Sequence, residues 1–324
     1  MRAYVIRRLL IAIPTLIIVS LIIFFLMRVL PGDIVHVMMR SAEGDIDRAM
    51  VESMLGLDAP LLIQYGRWMG FAPQADGMFS GIVQGNWGFS WWTWSPVAEL
   101  LVVKWPVTLE LGIMGIIVAQ LIALPIGIYS AIRQDTWGDY IARSFAILCI
   151  SIPAFWLGTL IIVFPSIWWG YMPPIMLIPF TKDPIGNLAM FIIPSTVLGM
   201  ALAGTTMRMT RNMLLEVLRQ DYVRTAWAKG LRERVVIIRH ALKNALIPVV
   251  TLVGIQISVL IGGTVIIEEI FCLPGMGRLL INAAHNRDYP LLSGIMFLFA
   301  CILVLVNIVV DLTYAYLDPR IHYK

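Results

Sequence analysis

Residues 9–30 read LLIAIPTLIIVSLIIFFLMRVL, an apolar run of 22 residues whose one charge, Arg28, sits near its end. The hydrocarbon core of a bilayer is about 30 Å thick and takes roughly 20 apolar residues in helical form. This stretch is therefore long enough to cross one. Arg2, Arg7 and Arg8 precede it. A secretory leader would have a shorter apolar core and a small-residue cleavage site after it. Here the run passes instead into Pro31-Gly32-Asp33, a turn-forming exit from a spanning helix.

Five further runs follow: Val107 to Ile132, Phe145 to Trp168, Leu188 to Thr206, Leu246 to Ile267 and Leu291 to Tyr314. Hydrophobic residues make up 59% of the chain and charged residues 14%, and the mean hydropathy is +0.84. Soluble domains carry about 45–50% apolar and about 25% charged residues. A membrane β-barrel would show short alternating segments in place of long runs. The expectation is an all-α, polytopic membrane protein with about six transmembrane helices. Pro14, Pro125, Pro153, Pro165 and Pro194 fall within spans, where neighbouring groups can satisfy the carbonyls they free.

With the N-terminus inside, sixteen of the 24 lysines and arginines fall in cytoplasmic segments, the positive-inside bias that places both termini in the cytoplasm. The organisation read from this is an N-terminal transmembrane helix (1–32), a large extracytoplasmic segment (33–106) and a five-helix core (107–324) with a cytoplasmic loop at 207–245. In the extracytoplasmic segment, Ile46, Met50 and Met54 recur at the spacing of an amphipathic helix over Asp45 to Leu55. Gly88-Phe89-Ser90-Trp91-Trp92-Thr93-Trp94 is the densest aromatic cluster. It reads as an interfacial belt, with a ligand-stacking surface as the alternative.

The net charge of +4 is spread beside the spans, which fits orientation in the membrane and not a nucleic-acid partner. Cys149, Cys272 and Cys301 are far apart with no C-x-x-C, so no disulfide or metal role is assigned to them. His36, His240, His285 and His322 are scattered and form no ligand pair. G-x-x-x-x-G-K-[ST] and G-x-S-x-G strings are both absent, leaving no nucleotide site of that type and no serine-hydrolase nucleophile. Glu110 and Asp311 are the acids nearest the bilayer, and both can reach an interface, so neither is assigned to a substrate path.

The loop at 207–245 holds nine of the inward charges. Its helix-forming stretch from Leu214 stops at Gly230, since glycine takes the left-handed conformation that ends helices. A second helical stretch leads through His240 to Pro248 into the next span. Anionic lipid would need only scattered Lys and Arg. A short glycine-ended helix with small Ala226 and Ala228 suits docking into a groove on a partner.

The string Asp221-Tyr222-Val223-Arg224-Thr225-Ala226-Trp227-Ala228-Lys229-Gly230-Leu231, with Arg239 to Pro248 after it, resembles the EAA loop of ABC import permeases in its oligopeptide/dipeptide form. Arg224 and Thr225 depart from the general motif in the manner of the peptide branch. Arg7-Arg8 with Ile13 to Leu16, Gly56 to Pro60, Glu268 to Phe271, Pro274 to Gly277, Arg287 to Pro290 and Leu317 to Arg320 follow in family order. The chain resembles the B-type permease of such systems.

The resemblance implies a subunit that is not an enzyme and forms half of a pore in the cytoplasmic membrane of a prokaryote. Its implied partners are a homologous second permease, two ABC ATPase subunits that bind ATP and Mg, an extracytoplasmic substrate-binding protein, and the lipid bilayer. No cofactor is implied for this chain. The implied ATPase-coupling residues are Asp221, Arg224, Thr225, Ala226, Lys229, Gly230 and Leu231. Peptides are the implied substrates; oligosaccharides, nickel chelates and glutathione are alternatives within the family, and an ion-gradient-driven transporter is the alternative outside it.

Overall fold

The computed structural model of the chain describes residues 2–29, 47–54, 56–74, 76–170, 172, 174 and 176–317. The exit turn at Pro31 to Asp33, the start of the amphipathic segment at Asp45 and Ile46, and the terminal Asp318-Pro319-Arg320 lie outside them. The described residues form helices α1 (Arg2–Val29), α2 (Arg48–Met54), α3 (Leu61–Met69), α4 (Val97–Ile132), α5 (Trp137–Ser151), α6 (Ala154–Trp169), α7 (Pro184–Leu218), α8 (Asp221–Ala228), α9 (Glu233–Ile270), α10 (Met276–His285) and α11 (Tyr289–Leu317).

Five helices, α1, α4, α7, α9 and α11, are long and apolar enough to cross a membrane. The expected continuous span from Phe145 to Trp168 is corrected. The chain there bends by 93° between α5 and α6, and only if the bent pair counts as one crossing are there six. The cause is local. A residue before proline is pushed toward extended backbone, and Ile152, ahead of Pro153, sits at φ −85°, ψ 119°.

Three spans, α4, α7 and α9, exceed their expected length by ten residues or more, α4 because it begins at Val97. α7 has 35 residues, about 52 Å at 1.5 Å per residue, well beyond a hydrocarbon core of about 30 Å. It therefore carries its last turns out into the polar loop. α9 has 38 residues and opens with π-helical geometry over Val236–Leu242.

The chain divides into two compact units. The first comprises Val107–Arg278 with the residue stretches 1–6 and 305–324. Its core joins Val107 and Leu111 of α4, Phe191, Val197 and Leu198 of α7, and Leu260 and Ile267 of α9. Below them Ala119, Ala123, Ala146, Cys149, Ala203 and Met207 form a second cluster of mostly small side chains. Small residues let helix backbones approach in a membrane, where apolar transfer gives no drive to associate. A Cβ on Gly199 would stand 2.7 Å from Gly115 O, and one on Gly204 2.7 Å from Ala146 O.

The second unit comprises Arg7–Pro106 and Leu279–Val304. Ile23 of α1, Met69 of α3, Ile82 and Phe297 of α11 form its core. Trp68 and Trp87 both pack against the Phe297 ring.

Three buried carboxylates pin helix starts in these units. Asp288, in the second, accepts from Leu291 N at 3.4 Å at the head of α11. It also accepts from Ser90 Oγ and, at 3.1 Å, from Trp91 N, so it fixes the turn that carries the tryptophan cluster. Trp91 meets Tyr289 edge-on, and Trp92 and Trp94 stay exposed. Glu268, in the first unit, accepts from Gly277 N at 2.7 Å, Arg278 N at 3.2 Å and Thr108 Oγ1 at 2.6 Å. The Gly277 and Arg278 N–H groups are orphans of the first turn of α10, which need an acceptor. A Cβ on Gly275 would collide with the Glu268 carboxylate, and one on Gly277 with the α9 backbone at Val265.

Asp139 is the third. It accepts from Ser130 Oγ at 2.5 Å, Asp135 N at 3.0 Å, and Arg211 Nε and Nη2 at 2.9 Å each. The bidentate pair ties the starts and ends of α4, α5 and α7 together, in the strongest geometry available to Arg and a carboxylate. Removing one partner of a buried pair strands the other charge at a cost of about 3–5 kcal/mol. Asp139→Ala should accordingly lower the unfolding temperature of the purified protein sharply. Asp139→Leu with Arg211→Met should recover much of the loss, and thermal melts of the three proteins check this.

Candidate functional site

The loop at 207–245 is a helical hairpin rather than a flexible connector. α7 ends at Leu218, and Gln220 turns the chain with extended backbone, φ −73° and ψ 147°. α8 then runs from Asp221 to Ala228. It is shorter than the stretch from Leu214 to Gly230, because its beginning belongs to α7. Gly230 stops it at φ +73°, the left-handed region open to glycine at no steric cost.

α8 is seated by two residues. Val223 and Ala226 are buried against Val236, with Val217 and Leu218 around them. At i and i+3 they share one helix face. A hydrogen bond from Asn244 Nδ2 to Tyr222 Oη at 2.9 Å ties α8 to α9 as well. The π-helical residues Val236–Leu242 supply the other wall. Such segments recur at functional sites.

The face turned away carries Asp221, Arg224, Thr225, Lys229, Gly230 and Leu231, all exposed. Of the seven residues singled out from the sequence, Ala226 alone is buried, at 6% exposure. Its size matters for seating α8, because a larger side chain would have no room against Val236. Two residues of the outward face escaped the sequence reading: Tyr222 and Trp227, each 43% exposed. An exposed tryptophan on a polar helix was the available signal. Arg224 and Asp221 approach to 3.8 Å with side chains 74% and 97% exposed, a pair that contributes little to stability. Both charges are thus open to a partner.

No group of three His, Cys, Asp or Glu side chains gathers among the described residues to hold a metal. What the hairpin offers is a short helical projection with Asp221, Arg224 and Lys229 exposed beside Tyr222 and Trp227.

Comparison with known proteins decides the family. Residues 123–323 match the profile of the binding-protein-dependent transport system inner membrane component, and residues 1–112 match the N-terminal profile of the same membrane components. The chain belongs to this family. It is a permease subunit of an ABC importer and a multi-pass protein of a prokaryotic inner membrane.

A permease of Brucella suis named for a peptide transport system is 37% identical over 323 residues, covering 100% of both chains. The glutathione transport system permease protein of Salmonella paratyphi A is 38% identical over 321 residues, covering 99% of each. Among solved structures, an inward-facing methionine ABC transporter matches with a TM-score of 0.55 at 17% identity, over 68% of this chain and 97% of that one. An amino acid ABC transporter matches at 0.53 and 14%, over 67% and 94%. At these identities the likeness is one of fold.

Ala226→Glu would put a carboxylate into the apolar seat of α8. Burying a charge without a partner is strongly unfavourable, so the helix should lift away. Limited trypsin digestion reads this as faster cleavage at Arg219, Arg224 and Lys229. Arg224→Gln leaves the seat untouched and should leave the remaining cleavage rates at wild-type values.

Proposed function

We propose that this permease pairs with a homologous second permease to form a pore for short peptides, driven by two cytoplasmic ATPase subunits and supplied by an extracytoplasmic binding protein. α8 is the coupling element. ATP and Mg bind and react on the ATPases; this chain contributes no catalytic group. The observation that carries the reading is the seated hairpin, with Asp221, Arg224, Thr225 and Trp227 presented outward on a helix backed by Val223 and Ala226.

The mechanism is rigid-body transmission. α8 fits a cleft on an ATPase, and closure of the ATPase pair on ATP displaces it. The displacement passes along α7, to which α8 is joined at Gln220, and along α9 through Val236 and Asn244. A packed helix has discrete positions and not a continuum, which lets a small shift switch access between the two sides of the membrane. In this arrangement the loop at 207–245 and both termini face the cytoplasm, and residues 33–106 face outward, as the distribution of Lys and Arg supports. Peptides are the substrate class because relatives matching over the full chain are named for peptide and glutathione transport, glutathione being itself a small peptide.

Two experiments test this. With the ATPase subunits present, Thr225→Cys should form a crosslink to one of them, whereas Ala226→Cys, facing inward, should not. Crosslinking from both, or from neither, would sink the proposed face. In proteoliposomes of the full transporter, Gly230→Pro should uncouple ATP hydrolysis from peptide uptake while the protein still inserts. Proline cannot reach a φ of +73°. Uptake at the wild-type rate would rule out α8 as the coupling element.

A further inference from the structure

The second unit holds an open cavity of about 810 Å³, within the range of about 300–1,000 Å³ typical of small-molecule sites. Neither coupling nor the packed cores use it. Trp68, Trp87, Trp91 and Trp94 line it, and two guanidinium groups, Arg28 and Arg67, share the same walls.

Arg28 is aimed by neutral partners. Its Nε and Nη2 donate to Gln64 Oε1 at 3.2 and 2.5 Å, and its guanidinium carbon lies 4.7 Å from the centre of the Phe24 ring. Gln64 is fixed in turn, buried at 8% exposure, because its amide donates to Leu57 O at 3.1 Å and Ala59 O at 2.7 Å. Gln64, Arg67 and Trp68 stand at i, i+3 and i+4 on α3, one face of one helix. Arg67 donates from Nε to Pro73 O at 3.1 Å. Among the described residues neither guanidinium has a carboxylate partner.

A guanidinium carries five donors in a planar fork that matches a carboxylate, and both forks here have donors to spare. A cavity whose two guanidinium groups have no carboxylate within ion-pair distance among the described residues has room for an anionic group. Aromatic walls call for an apolar group next to it. Asp58 also lines the cavity, supplying the opposite charge that an ammonium group would meet. The Gln74 side-chain oxygen and Asn86 can serve amide groups, the Gln74 N–H groups being already given to Arg67 O and Ser80 O. A phospholipid satisfies the cations but leaves the acid and the amides without use.

We propose that this cavity binds a short peptide by its C-terminal carboxylate, on Arg28 and Arg67, with a terminal aromatic or apolar side chain against the tryptophans. The permease would then hold cargo on its second unit. This inference rests on the peptide reading above.

The test is calorimetric titration of the assembled transporter in lipid nanodiscs, without its binding protein, using Ala-Phe and its C-terminal amide. Ala-Phe should bind saturably, and the amide at least about tenfold more weakly, the scale of losing a charge-assisted hydrogen bond. Arg67→Gln and Arg28→Gln should each weaken Ala-Phe by about the same factor and leave the amide unchanged. The amide arm needs no mutation, so a folding defect in a variant cannot imitate the result. No saturable binding, equal binding of acid and amide, or indifference to both substitutions overturns the proposal. So does mass spectrometry that finds a phospholipid retained by the wild type and lost from both variants. ATP-driven uptake of Ala-Phe with the binding protein present separates the two readings. Uptake without cavity binding removes the cavity alone, and no uptake of any peptide removes the substrate class.

Discussion

Hydrocarbon has no hydrogen-bonding capacity, so every backbone N–H and C=O in the membrane must be satisfied within the protein. That constraint explains why long helices dominate this chain, and also why the places where helices start or stop need special provision. Asp139 at the start of α5, Glu268 below α10 and Asp288 at the head of α11 each supply acceptors to first-turn N–H groups or their immediate neighbours. Each carboxylate is buried and reaches groups far along the chain: Arg211 for Asp139, Thr108 for Glu268, Ser90 for Asp288. The breaks between helices are thus the points where distant segments are tied together.

The same provision gives meaning to motifs that are otherwise only strings. In Arg287-Asp288-Tyr289-Pro290, the acid holds the turn at Ser90 and Trp91, and the tyrosine packs on Trp91. In Glu268-Glu269 and Pro274-Gly275-Met276-Gly277, the first acid is received by a backbone that only glycine leaves open. Glu269 faces out and stands 4.0 Å from Arg278. Two adjacent glutamates, alike in sequence, take unlike roles because one points into the protein and the other does not.

An analogous division is made within the eight residues of α8. α8 is held by two small or branched apolar side chains and offers its charges and its tryptophan on the other side. A helix this short is unstable alone. It is held by its seat on Val236 and ended by the turn at Gly230.

Much of this was legible in the residues. Long apolar runs announced the spanning helices, since a membrane reads hydrophobic length directly, and Gly230 marked the end of α8. The family strings named the class before any geometry. The bend at Pro153 was not legible as a bend, because a proline in a membrane helix can equally be absorbed by neighbours; the extended backbone that Ile152 takes ahead of it made the break. Nor did Ala226 reveal that it faces inward, since small residues serve close approach to a partner and to the chain's own core alike. The pairings of Asp139 with Arg211 and of Ser90 with Asp288 join residues 72 and 198 positions apart. Sequence alone determined which segments are apolar enough to leave water, because that is a property of each segment by itself. Which polar groups meet was decided only by the tertiary structure, because burial of a charge is tolerable solely where folding brings its partner within reach.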